Sequence, residues 1–86
     1  MNDLDNLRKE IDEIDEQIKK LFVKRMAVVK SINDVKKTLG ISVIDLKRER
    51  EILSKINDIE DENIKNLYLE LLKRILDLSK KYQELL

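Results

Sequence analysis

Histidine, cysteine and proline are absent from this 86-residue chain, and glycine occurs once, at Gly40. Without histidine there is no imidazole base, and without cysteine no thiol nucleophile, disulfide or thiolate ligand. Any chemistry falls to carboxylates, amines, guanidinium groups, hydroxyls and amides. Carboxylates could still bind calcium or magnesium, yet no acidic loop has the spacing or the turn glycine of an EF-hand. A surplus of one charge is lacking too: 18 Lys and Arg balance 18 Asp and Glu. Their interleaving leaves no one-sided basic field for nucleic acid or anionic lipid. No apolar run approaches the roughly 20 residues needed to cross a bilayer. The opening "MNDLDNLRKE" is acidic where a signal peptide would be basic and then apolar. The expectation is a soluble cytoplasmic protein, one domain over residues 1–86, with no cofactor, no metal, and neither nucleic acid nor membrane as partner.

What is present is the material of long helices: 42% hydrophobic and 42% charged residues. Leu4, Leu7, Ile11, Ile14, Ile18, Leu21, Arg25, Val28, Ile32, Val35 and Leu39 succeed one another at steps of three and four, a continuous helical seam. The pattern predicts a first helix over 3–39, ended by Gly40 in the left-handed conformation. Asp45 is a fitting N-cap for a second helix over 45–57. "DIEDE" supplies caps and first-turn acids for a third over 61–85. At 1.5 Å per residue the first helix is on the order of 50 Å long, against roughly 30 Å for a compact monomer of this size. Its seam is apolar at both ends, so the protruding half needs a partner, and a second copy on a two-fold axis is the simplest. The expected fold is all-α, three helices per chain with one very long N-terminal helix, in an intertwined, domain-swapped homodimer.

Each predicted helix carries a polar interruption. Arg25 is the only charge on the seam, and a guanidinium buried without a partner costs several kcal/mol in desolvation. In the second helix Glu49 interrupts Leu46, Leu53 and Ile56, and in the third the stripe Leu69, Leu72, Leu76 turns polar at Ser79 and Gln83. Lys36 lies about three turns beyond Arg25 and points to the same side. Arg48 neighbours Glu49. Arg8 flanks the seam about 25 Å from Arg25 by helical rise, too far for one small molecule to bridge, so it would have to act in the partner's site. Singly, each residue is ordinary: a seam arginine snorkels or pairs with an acid, and "KREREI" reads as a solvated face. Together, cations, a carboxylate and neutral donors breaking three stripes imply an interhelical pocket for a carboxylate-bearing ligand. Its chemistry would be conformational restraint and electrostatic stabilisation.

The chain resembles the all-helical class of chorismate mutases over essentially its whole length. The resemblance is carried by "LRKEIDEIDEQI", "LFVKRMAVVKSINDVKK", "VIDLKREREIL" and "ILDLSKKYQ", in that order. It implies a domain-swapped helical dimer with two active sites and the rearrangement of chorismate to prephenate, a step of aromatic amino acid biosynthesis. By the same resemblance Arg8 is the arginine donated across the dimer, and Arg25 binds a substrate carboxylate within its own chain. Lys36 matches the lysine that contacts a carboxylate and the ether oxygen, and Gln83 the amide on that oxygen's other side. Asp45 and Glu49 match positions near the ring hydroxyl, while Arg48 and Ser79 match further lining positions, Ser79 near a carboxylate.

Two other readings compete. An isochorismate pyruvate lyase shares the fold and much of the cationic pocket, although "DLKRERE", and Glu49 above all, favours the mutase. A non-catalytic dimerisation bundle would simply pair Arg25 with Glu49. The sequence through Leu86 is expected to carry the mutase domain alone, with no fused dehydratase, dehydrogenase, synthase or regulatory domain.

Overall fold

The structure is a computed structural model that describes residues 2–86. Three α-helices, α1 (Asp3–Leu39), α2 (Leu46–Leu53) and α3 (Glu62–Leu85), account for the architecture, and no strand occurs among the described residues. A 3-10 turn at Ser54–Ile56 follows α2 directly. The second helix is therefore shorter than the apolar spacing suggests: Ile56 keeps its inward position, but by way of the tighter turn.

Each helix starts on a side chain that satisfies a free backbone donor. Asn2 Oδ1 accepts from the amide of Asp5 at 2.8 Å, Asp45 Oδ1 from that of Arg48 at 3.0 Å, and Asp61 Oδ1 from that of Ile64 at 3.0 Å. Helix α1 ends at Gly40, with φ 67° and ψ 28°. The Gly40 amide donates to the Lys37 carbonyl at 3.2 Å, and the Ile41 amide to that of Lys36 at 2.9 Å. This paired closure needs a residue at positive φ, which glycine takes without strain.

Helix α3 is the common partner, packing against α1, α2 and the 3-10 turn. The Arg25–Ser79 hydrogen bond and the bond from Lys37 Nζ to the Leu86 carbonyl at 3.3 Å set the C-terminal half of α1 alongside α3, both running the same way. The apolar core is small: Val29, Ile56, Leu72 and Leu76. On α1 the buried residues, Val29 and Asn33, stand one position beyond the seam residues Val28 and Ile32. The seam from Leu4 to Leu39 stays exposed along the chain, between 46% at Ile32 and 66% at Leu21 for its apolar members. The molecule measures 57 × 26 × 16 Å with a radius of gyration of 16.5 Å, against about 12 Å for a compact chain of this length. No helix among the described residues is long and apolar enough to cross a membrane.

Candidate functional site

A cleft of about 340 Å³ opens where the three helices converge, at the lower end of the roughly 300–1,000 Å³ range of small-molecule sites. Its apolar walls are Val28, Val29 and Ile32 of α1, Val43 of the connector, Ile52 of α2 and Leu76 of α3. Set into them are Arg25 and Lys36 from α1, Asp45, Arg48 and Glu49 from the start of α2, and Ser79, Lys80 and Gln83 from α3. At Val28 and Ile32 the seam forms cleft wall, while the stripe beside it packs on α3.

The polar groups are held by specific partners. Arg25 Nη1 donates to Ser79 Oγ, and the Ser79 hydroxyl donates to the Ile75 carbonyl at 2.8 Å. Lys36 Nζ donates to the Val43 carbonyl at 3.1 Å, which ties the ammonium to the connector. Gln83 is buried; its Nε2 donates to the Ser79 carbonyl at 3.4 Å, and its Oε1 has no partner among the described residues. Glu49 Oε1 pairs with Lys80 Nζ at 3.0 Å, and Lys80 also lies 3.7 Å from Asp77. Arg48 is exposed and reaches Glu51 at 3.3 Å. Among the described residues, then, Arg25 and Lys36 meet only neutral oxygens. The cleft's two carboxylates are engaged elsewhere, Glu49 with Lys80 and Asp45 as the α2 cap.

The hydrogen bond with Glu49 raises the Lys80 pKa above the ordinary 10.5, with Coulombic attraction adding to it and desolvation opposing. A raised lysine lends its full stabilisation below 10.5 and loses it as pH climbs through the raised value, so the ammonium stays charged at neutral pH.

The chorismate mutase type II family model matches residues 7–84. The chain belongs to that family. It is 39% identical over 66 residues to a chorismate mutase of Methanocaldococcus jannaschii, an alignment covering 71% of this chain and 67% of that protein. It is also 34% identical over 90 residues to the bifunctional chorismate mutase/prephenate dehydratase of Aquifex aeolicus, covering 94% of this chain. The chain spans about a quarter of that second relative's length.

Of the residues the chorismate mutase resemblance singles out, Arg25, Lys36, Asp45, Arg48, Glu49, Ser79 and Gln83 line this one cleft. Arg8 does not. It is exposed on the free half of α1, about 25 Å away along the helix. The pairing of Arg25 with Glu49 that a purely structural bundle would have used is not formed. Sequence reasoning missed Lys80 in the cleft and, outside it, the burial of Asn33 on α1. Lys80 stands four residues after Leu76 and three before Gln83, on the stripe that carries the other cleft residues, so helical spacing alone could have found it. Asn33 gave no signal, because asparagine in a polar run looks solvated.

Proposed function

We propose that the chain is a cytoplasmic chorismate mutase that rearranges chorismate to prephenate, acting as a homodimer whose two sites are each completed by the partner's Arg8. The observation that carries this reading is the state of the cleft cations. Arg25 and Lys36 are held in an apolar-walled cleft with neutral partners only, and the carboxylates beside them are already engaged. Such a cleft is matched by a small apolar ligand bearing carboxylates, which would bring ionised acceptors to cations that now meet neutral oxygens.

The reaction asks for no nucleophile and no proton transfer. The C–O bond of the enolpyruvyl ether breaks as a C–C bond forms to the ring, and both ends must be folded over each other in a chair-like geometry. Carboxylate clamps at Arg25 and the partner's Arg8 hold that fold. Negative charge grows on the ether oxygen as the bond breaks. Lys36 and Gln83 are the donors aimed at it, already restrained by the connector and by α3 before the substrate arrives. Glu49 and the Asp45 region receive the ring hydroxyl, while Ser79 steadies Arg25 and borders a carboxylate.

Product identification with each candidate substrate tests the reading. Prephenate should form from chorismate, and Lys36→Ala or Gln83→Ala should cut kcat by about a hundredfold or more. Pyruvate from isochorismate without prephenate from chorismate would assign the lyase instead. Neither product, with chorismate left unbound, would leave a helical dimerisation module.

A further inference from the structure

Lys80 and Glu49 come from different helices, α3 and α2, and close on each other at 3.0 Å across the edge of the cleft. The side chains are 32% and 22% exposed, a partly shielded pair. Without Lys80, Glu49 would be a carboxylate sharing a small apolar-walled cleft with Arg25 and Lys36, two cations whose present partners are neutral oxygens. An ion pair within such walls is much stronger than one in water, so Glu49 would swing toward one of them and fill the anion subsite from inside. We propose that Lys80 is a positioning residue that sequesters Glu49, keeping Arg25 and Lys36 open for a carboxylate of the ligand. The inference rests on the cleft being a dicarboxylate site, as in the function proposed above.

Several features agree with this role. Four cleft cations face two carboxylates, and pairing Lys80 with Glu49 leaves the surplus positive charge on the α1 side, where Arg25 and Lys36 stand. Asp77, 3.7 Å from Lys80 and three residues before it, holds the ammonium from outside the cleft. Lys80 is thus anchored between an outer and an inner carboxylate, whereas a carboxylate ligand would find it already neutralised. Removing its charge should therefore weaken binding more than turnover.

Kinetics and a substrate-free signal test this together. Lys80→Met keeps the apolar stem and removes the charge. It should raise KM roughly three- to tenfold with a smaller change in kcat, whereas Lys80→Arg should stay near the parent value. In a Glu49→Gln background, Lys80→Met should leave KM as it is in Glu49→Gln alone, because the carboxylate that could intrude is gone and Asp45 stays engaged as the α2 cap. Without substrate, the NMR signal of the Arg25 guanidinium or of the Lys36 ammonium should shift in Lys80→Met and return in Lys80→Met/Glu49→Gln. A KM rise that persists in the Glu49→Gln background, or unmoved Arg25 and Lys36 signals in Lys80→Met, overturns the role of Lys80 whatever the reaction. If one of these signals behaves as stated while the parent protein ignores chorismate, the proposed function falls and the sequestration stands.

Discussion

Asn33 stands on the α1 stripe that faces α3, four residues after Val29, and is 1% exposed. Among the described residues neither its Oδ1 nor its Nδ2 has a hydrogen-bond partner. A buried amide left unpaired costs about 1–3 kcal/mol relative to a hydrated one, so this side chain works against the only interface that α1 makes with α3. Leucine has a similar shape and no polar atoms. Asn33→Leu should therefore stabilise the protein by about 1–2 kcal/mol, a rise of roughly 4–8 °C in Tm per kcal/mol. Thermal unfolding checks it, and a fall in Tm would mean that the amide is satisfied in solution by a group or water worth more than apolar packing. The contrast with Lys80 explains what a sequence conveys about single residues. Arg25, Glu49, Ser79 and Gln83 were legible because each breaks an otherwise apolar stripe. Lys80 has the spacing of the cleft stripe but Asn33 gives no such sign, and only the packing of α3 reveals that one is paired and the other orphaned.

At the level of elements, the turn after α1 has the most to arrange in the fewest residues. Gly40 reverses the chain so that Val43 can accept from Lys36 and Asp45 can cap α2 at the cleft. Among the described residues a Cβ at Gly40 would meet nothing within 4 Å, so a substitution there is governed by the backbone conformation. Gly40→Ala should cost about 1–2 kcal/mol, the penalty of the left-handed conformation, and Gly40→Asn distinctly less. Urea unfolding midpoints should rank glycine above asparagine above alanine, and equal midpoints would show that the turn relaxes to another closure. The three helices were readable because apolar spacing, caps and the single glycine all agree. The 3-10 turn at Ser54–Ile56 was not, since Ile56 satisfies the apolar spacing in either kind of helix. Nor was the division of the seam, whose residues look equivalent in sequence. Which of them line a cleft depends on where α3 crosses α1, and nothing in a periodic pattern records that.

The whole molecule exposes 7263 Å², against about 5,300 Å² for a compact monomer of 10.2 kDa. The excess is of the order buried by one subunit in an extensive obligate interface. Part of it lies where Leu4, Leu7, Ile11, Ile14 and Ile18 are 49–57% exposed, on the N-terminal half of α1, whose residues 3–21 are all exposed. A second copy would cover this surface and could bring the partner's Arg8 to the cleft that Arg8 cannot reach within its own chain. Mixing variants separates that arrangement from any in which Arg8 serves its own chain. Arg8→Ala and Arg25→Ala homodimers should each be nearly inactive, because every site lacks one clamp. Unfolded together in equal amounts and refolded, half the dimers should be mixed. In each of these, one site has an intact Arg25 and receives the intact Arg8 of the partner subunit, while the other site lacks both. Activity should return to about a quarter of the wild-type value, since one site in two is restored in one dimer in two. Confirmed heterodimers without recovered activity would rule out donation across the interface, and full activity in Arg8→Ala alone would remove Arg8 from the site.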